Sequence, residues 1–470
     1  MTRLPGLRRT PPVPYLAGTV AMPRRKLVFV IVSLALLMSS VDATVVATAL
    51  SAIQSDLHAN IAWSGWTITI YSLGQILVMP LAGKISDMYG RRRVFLAAAI
   101  LFTVASLLCG LASNIYLLVA LRAVQAIGGG AFMPSASGIV ADHFGPNRDR
   151  ALGMFTSIFP IGGVIGPILG GLFVTYGSWR GIFLVNVPVG IVLIVLALIF
   201  IPESGRTAGR RLDIYGVALL GILILSAMLG ITLLGEGTTT VLSPQFLIPE
   251  LIAVVALILF VRHAKHGAAP FIPANLLHGR GFGIMNLINF LFGAAALGFG
   301  ALVPLYAEDR FGISVLQAGT LLTARAIGMI CIAGLAVLML RRTGYRLPML
   351  VGFTFVALGL AALSWDQGFL TPYAWLSIAA GIAGVGMGMA TPASNNAIMQ
   401  LAPDQIGGIS GLRGMFRQGG SIMSISVVTS LVARSDDPGT TLATAFVVFA
   451  CIIIASLPLI LLVPEHKGAW

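Results

Sequence analysis

"GKISDMYGRRR", Gly83 to Arg93, is a charged island in a greasy chain. It divides "WSGWTITIYSLGQILVMPLA" from "VFLAAAILFTVASLLCGLA", two runs without an acid or a base. A bilayer core of ~30 Å takes about 20 apolar residues wound as a helix. Each run is long enough to cross one, so the island reads as a short surface turn between two crossings. The same alternation recurs along the chain, which is 57% hydrophobic and 10% charged. An ordinary soluble domain has roughly 45–50% apolar and 25% charged residues. No segment shows the alternation of about ten residues that a barrel strand needs. The fold class expected is therefore an all-α polytopic membrane protein.

Apolar periodicity predicts about fourteen transmembrane helices, at 27–50, 62–82, 94–113, 115–138, 151–175, 181–201, 214–234, 246–261, 282–305, 315–340, 347–364, 372–396, 409–432 and 442–463. With the N-terminus placed in the cytoplasm, 22 of the 29 Lys and Arg fall on that side. Only Arg180, Arg310 and Arg434 fall outside, and Arg122, Arg325, Arg413 and Arg417 sit within spans. Basic residues concentrate on the cytoplasmic side of membrane proteins, so both termini are expected there. The same bias accounts for the net charge of +13 without nucleic acid. Residues 1–26, with five prolines and six bases, read as a disordered cytoplasmic arm. The run after the arm is too long for a cleaved signal, and no small-residue cleavage pattern follows it. Cys109, Cys331 and Cys451 all lie in apolar runs and read as small buried hydrophobes, with no metal spacing.

The chain also repeats itself. "AIGGGAFMPSAS" (126–137) matches "GVGMGMATPASN" (384–395), with Pro134 against Pro392, and "LGMF" (152–155) matches "RGMF" (413–416). "SDMYGRRR" has a worn copy in "RRTGYR" (341–346). Transporters are commonly built from such repeats, with the substrate site between them near mid-membrane. The expected organisation is an N-terminal six-helix bundle (27–201), a linker carrying two additional helices (202–281), a C-terminal six-helix bundle (282–464) and a cytoplasmic tail (465–470).

At this point the chain resembles the major facilitator superfamily, in its fourteen-span drug/proton antiporter branch. "GKISDMYGRRR" resembles that family's loop signature between the second and third helices. "RAVQAIGGGAFMPSA" resembles its fourth-helix motif, with Arg122, Gln125 and Gly128 in place, and "GGVIGPILGG" its fifth-helix antiporter motif. "VDATVVATAL" and "WRGIFLVNVPVG" resemble signatures of the fourteen-span branch. The likeness covers nearly everything after residue 26.

The loop supplies a first group of candidates, a cytoplasmic gate. Gly83 suits a close turn and Gly90 a second bend, while Arg91, Arg92 and Arg93 anchor the inner face. Asp87 opposes the topology signal. The resemblance implies that it pairs across the gate with a helix N-terminus of the other half and a nearby arginine; here those are the start of the span near 409 and Arg150. In the fifth span Gly162, Gly166 and Gly170 recur every four residues and share one face; Gly163 and Gly171 flank them. Such faces let helices touch backbone to backbone, and Pro167 favours a bend. The resemblance implies that this helix helps seal one half against the other. The second copy has Val427 and Val428 where Gly166 and Pro167 stand.

Intramembrane charge is the other clue, because an ionisable group at the bilayer centre costs about 2.5–3.5 kcal/mol on insertion scales. Asp42 lies ~22 Å along span one, and Arg122 ~10 Å along the oppositely directed span four, at 1.5 Å per residue. In a ~30 Å core the two depths nearly coincide, so a pair is allowed. Burial disfavours a charged carboxyl and a neighbouring cation favours it, so moving either group would change proton occupancy; a static structural pair is the other reading. Gln125, Arg325, Arg417, Asn395 and Met387 are the candidate lining of a substrate cavity, while Arg413 is expected to snorkel to the inner surface. Asn395 and Asn396 either line that cavity or bridge helices. Glu236, Glu308 and Asp309 lie at outer span ends and read as solvated loop acids, with binding of cations or protons on the outside as the alternative.

The implied function is a proton-coupled antiporter that exports amphipathic organic compounds or drugs across a bacterial cell membrane. The alternative is a dedicated exporter of a lipid or secondary metabolite with an acidic or neutral headgroup. The only GK, Gly83–Lys84, lacks the rest of a phosphate-binding loop, so the energy must come from a gradient. The six histidines sit in loops or the tail without a ligand pairing, and no nucleophile–base set stands out. No enzyme, cofactor or metal is expected; the partners are the substrate, protons and lipid, and the monomer is the expected working unit.

Overall fold

The computed structural model describes residues 22–59, 61–203, 213–235, 239–267, 272, 276–277, 281–313, 315–365, 370–401, 406–432, 435–463 and 465. Most of the basic arm, Glu236, Arg434, His278 and His466 lie outside them, as does the side chain of Pro167. The first bundle comprises α1 (Met22–Asp56), α2 (Ile61–Tyr89), α3 (Arg91–Gly110), α4 (Ile115–Phe144), α5 (Arg148–Thr156), α6 (Phe159–Tyr176), α7 (Gly181–Leu184) and α8 (Asn186–Phe200). A hairpin follows, α9 (Ile214–Gly235) and α10 (Pro244–His266). The second bundle comprises α11 (Phe282–Phe292), α12 (Phe299–Phe311), α13 (Val315–Thr343), α14 (Arg346–Leu363), α15 (Pro372–Gln400), α16 (Ile406–Val432) and α17 (Pro438–Ile460).

Eleven segments among the described residues are long and apolar enough to cross a membrane. Shorter apolar stretches occur in α9 and α11, and α16, which carries Arg413 and Arg417, falls outside both groups. The repeat is visible in local chemistry. Asn114 caps α4 by accepting from Leu117 N at 2.8 Å, and Thr371 caps the equivalent α15 by accepting from Ala374 N. Each cap satisfies an amide that the first helical turn leaves open. Pro134 and Pro392 both lie inside their helices, in register. α11 and α12 are joined by a π-helical turn, Gly293–Leu297, where the chain meets α16. A side chain on Gly293 would strike the Arg417 carbonyl, and one on Gly298 the Ser424 hydroxyl.

The two bundles meet mainly through α16 against α2 and α4, and through α5 against α13 and α15. The α9–α10 hairpin leans on α2 and α16. At the end of the first bundle away from the basic loops, Arg180 and Trp179 both donate to Asp56, the latter at 3.0 Å. Those bonds hold the Asp56 carboxyl below the usual carboxylate range.

Several expectations change here. Gly83 is buried inside α2, not at a turn; α2 runs on to Tyr89, and Gly90 alone reverses the chain at φ 104°. Cys109 is buried, but Cys331 and Cys451 point outward, as the lipid-facing side of a span permits. His143, His263 and His266 close helices instead of lying in loops, and His263 Nε2 sits 2.6 Å from Asp213 Oδ2.

α6 touches α13 of the second bundle, but its glycine face is turned elsewhere. It packs on α1 of its own bundle. A Cβ at Gly162 would meet Ser40, one at Gly166 would meet Thr44, and one at Gly170 would meet Thr48. Three glycines four apart thus face three hydroxyl residues four apart. Ser40 donates to the Phe159 carbonyl and Thr44 to that of Gly162, so the interface combines close backbone approach with hydrogen bonds. Gly163 and Gly171 face open space. The helix runs unbroken through Pro167; the break in this span is at Ser157–Ile158, with a proline in the first turn of α6. A proline there loses no helical hydrogen bond.

Gly166→Val should push Thr44, and α1 with it, away from α6, and overpacking of that kind costs about 1–3 kcal/mol. Gly163→Val, on the open side, should change stability by less than about 0.5 kcal/mol. Thermal unfolding of the purified variants reads the difference.

Candidate functional site

Five helices of the first bundle bring polar groups to one point. Asp42 of α1 and Arg122 of α4 both have 0% exposure, and Arg122 Nη1 lies 2.5 Å from Asp42 Oδ2. The other carboxylate oxygen accepts from Gln125 Nε2 at 2.9 Å and from Asn186 Nδ2 of α8 at 3.1 Å. All three partners present N–H donors, an arrangement that fits a carboxylate acceptor. Arg122 is held in turn. Its Nε donates to the Thr67 carbonyl at 3.1 Å, its Nη1 also reaches Gln125 Oε1 at 2.7 Å, and its guanidinium lies 3.9 Å above the Tyr71 ring. Gln125 Nε2 further donates to Ser106 Oγ of α3 at 2.8 Å. Breaking a buried ion pair by removing one partner costs about 3–5 kcal/mol, so the network locks α1, α2, α3, α4 and α8 to one another.

Gln125, expected along a substrate cavity, is buried in this network. It stands three residues from Arg122, on the same helix face, and that face is the buried one. Asn186 was not singled out from the sequence. It is the sole side-chain amide in the apolar run 181–200, and that is the signal that could have found it.

The second cluster closes the basic end. Asp87 Oδ2 accepts from Gly408 N at 3.1 Å, in the first turn of α16. A carboxylate at a helix N-terminus gains about 0.3–1 kcal/mol. The guanidinium beside Asp87 belongs to Arg91, at 3.5 Å, and Arg91 Nη1 also reaches Asp142 Oδ1 and the Gly138 carbonyl, each at 2.5 Å. Arg150, the partner expected from the sequence, is exposed. Its neighbour Asp149 turns inward instead, because successive helical residues point about 100° apart. Gln400 Nε2 of α15 donates to Asp149 Oδ2 at 2.9 Å, and Asn396 Nδ2 donates to the Asp149 carbonyl at 3.0 Å. Ser410 Oγ of α16 donates to Ser137 Oγ of α4 at 3.1 Å. Asp149 is an acid among bases, as Asp87 is, and the argument that picked out Asp87 applies to it equally. Arg92 and Arg93 serve the first bundle: Arg92 Nη2 donates to the Leu198 carbonyl at 2.6 Å, and Arg93 meets Glu203 at 3.2 Å.

The remaining cavity candidates scatter. Met387 and Asn395 are buried in α15. Arg325 is half-buried in α13, with its backbone pressed against Gly384. Arg417 lines a small cavity of about 10 Å³ together with Arg413. Arg413 does not snorkel: it is 1% exposed, because α16 packs against elements of both bundles. A larger apolar cleft of about 430 Å³ opens between the α9–α10 hairpin and α16, with Met415, Phe416 and Met423 in its wall.

A family model described as Major Facilitator Superfamily matches residues 32–425, and again 285–470. The multidrug transporter protein MdtP of Bacillus subtilis (strain 168) is 29% identical over 418 residues, covering 88% of this chain and 76% of the relative. The multidrug resistance protein B homolog of Mycobacterium tuberculosis (strain CDC 1551 / Oshkosh) is 32% identical over 421 residues, covering 88% and 77%. The human organic anion transporter MFSD10 (TETRAN) shares the fold, with a TM-score of 0.68 at 16% identity, covering 93% of this chain and 99% of the other.

Arg122→Met leaves Asp42 with two amide donors and no counter-charge. It should lower stability by about 3–5 kcal/mol, and adding Asp42→Asn should recover part of that loss. A double-mutant cycle by thermal unfolding measures the coupling; additive losses would mean that the two groups do not act as a pair.

Proposed function

The chain belongs to the Major Facilitator Superfamily and is a multi-pass membrane transporter; from that premise we propose that it is a proton-coupled antiporter exporting amphipathic organic compounds from the cell. The observation that carries the proposal is Asp42: a carboxylate at 0% exposure, met by Arg122, Gln125 and Asn186. A group so placed is expensive in a membrane and marks function by default. The names of the two relatives, a multidrug transporter and a multidrug resistance protein, support a broad range of transported compounds. The basic end faces the cytoplasm in this proposal, with both termini there, as the distribution of Lys and Arg favours. The fourteen-span division into two six-helix bundles and an inserted pair belongs to the same proposal, as does a monomeric working unit.

The mechanism follows from the contacts. A proton on Asp42 removes the charge that Arg122 balances and weakens the bonds from Gln125 and Asn186, because hydrogen bonds to an ionised group are roughly twice as strong as neutral ones. That frees α1 from α4 and α8. α1 is also packed along α6 through its hydroxyl–glycine face. α6 continues through the Ser157–Ile158 break into α5, whose Asp149 is bonded to Gln400 and Asn396 of the other bundle. Proton occupancy at Asp42 is thereby tied to closure at the basic end. Asp87 on Gly408 is a second latch of modest strength, one able to form and break in each cycle. A dedicated exporter of an acidic compound is the second reading, favoured by the two arginines of α16.

In reconstituted vesicles with an imposed pH gradient, wild-type protein should move a panel of cationic, neutral and anionic compounds at rates that follow the gradient. Asp42→Asn should abolish gradient-driven flux and leave substrate binding in place. Flux indifferent to acidity on both sides would overturn proton coupling. Asp87→Asn should insert normally and transport more slowly, since losing ~1 kcal/mol of latch shifts a two-state closure about fivefold; undiminished efflux would count against the latch.

A further inference from the structure

The two bundles treat their arginines differently. Arg122 has a carboxylate; Arg413 does not. Its Nε and Nη2 have no hydrogen-bond partner among the described residues. Around it stand Asn289, Phe292 and Phe353, then Thr391, Ser394 and Arg417, lining the cavity of about 10 Å³. That is about the space of one water-sized group. Thr391 Oγ1 is likewise buried without a partner among the described residues. The unmatched groups thus include two guanidinium N–H donors and a hydroxyl, and the lining contains no acid. Leaving a buried charge uncompensated is strongly destabilising, so this arrangement asks for an acceptor that the fold does not supply.

The position adds a second argument. Arg413 is seven residues into α16, ~10 Å from its start at 1.5 Å per residue. One turn before it Ser410 bonds to Ser137 of the first bundle, and Gly411 packs on Met79 and Pro80 of α2. Gly408, two residues before Ser410 on this helix, holds Asp87. The segment that closes the basic end is therefore contiguous with Arg413, which is the first charged group behind the closure.

We propose that Arg413, with Arg417, Thr391 and Ser394, forms a subsite for one anionic oxygen group, a carboxylate or a phosphate, reached when the basic end opens. The group is part of an amphiphile, either a free organic acid or an anionic lipid headgroup. This rests on the exporter reading above and names one chemical class among its substrates. Arg413 supplies a planar pair of N–H donors that matches such a group. The hydroxyls of Thr391 and Ser394 turn to meet the remaining lone pairs.

The test is binding to full-length protein in phosphatidylcholine nanodiscs without any gradient. Two probes are titrated, carboxyfluorescein as the anion and rhodamine 6G as the cation. Arg413→Gln should weaken carboxyfluorescein about tenfold or more, since hydrogen bonds to a charged group are at stake, and leave rhodamine 6G unchanged. Should Arg413→Gln fail to fold by gel filtration, Arg413→Lys and Thr391→Val carry the test, with losses of about threefold for the anion alone. Unchanged carboxyfluorescein affinity in the folded variants, or equal losses for both dyes, would overturn the subsite. Adding phosphatidylglycerol to the nanodiscs separates the sources: competition with carboxyfluorescein identifies the headgroup, and no competition identifies the free acid. Because no gradient is used, anion binding that fails beside proton-driven flux sinks this inference alone. Normal anion binding beside flux that ignores pH sinks proton coupling alone.

Discussion

A carboxylate and a guanidinium do not remain inside a bilayer unless each has a partner, and the contact between Asp42 and Arg122 meets that requirement. Much of the first bundle is arranged around this bond. Gln125 and Asn186 complete the shell of the carboxylate, while Thr67 and Tyr71 complete that of the guanidinium. Five helices contribute, so the pair fixes how α1, α2, α3, α4 and α8 are rotated about their own axes. Hydrophobic packing alone selects rotation poorly in a membrane, because lipid tails are as apolar as leucine.

The second constraint is close approach. α1 carries Ser40, Thr44 and Thr48 on the face that α6 meets with Gly162, Gly166 and Gly170. α6 puts no side chain of its own into this contact, so α1 and α6 are closely coupled. The second bundle uses the same device at different places. Gly384 and Gly388 of α15 sit directly on the backbone of α13, and Gly420 of α16 sits on that of α11. Among its described residues no buried acid–arginine pair like Asp42–Arg122 occurs. Its buried arginine faces hydroxyls and an amide in place of an acid. Two bundles with related folds thus carry opposite electrostatics, one neutralised from within and one open to an anion from outside.

Much of this was legible from residue types alone. The charged island, the Lys and Arg bias and the apolar runs are local properties, and they led to a helical membrane protein. The depth of Asp42 along one span and of Arg122 along another is simple arithmetic on helix rise, and it brought the two together. The acid at position 87 stood out because it opposed its surroundings. The failures have a common cause. The partners of Gln125, Arg150 and Arg413 were not legible, because each needed the direction in which a helix face points. Asn186 and Asp149 were passed over for the same reason: their partners lie 144 residues away at Asp42 and 251 residues away at Gln400.

Membrane insertion is decided segment by segment, from apolarity summed over about twenty residues. The sequence by itself therefore determined which stretches are embedded, how they alternate, and which ionisable groups go in with them. Only the tertiary structure decided which of those groups meet. Rotation of one helix against another depends on where small residues let backbones touch, and that is a property of two faces at once. Thus Asp87 found the amide of Gly408 and the guanidinium of Arg91, and Arg413 was left buried with two of its donors unmatched among the described residues.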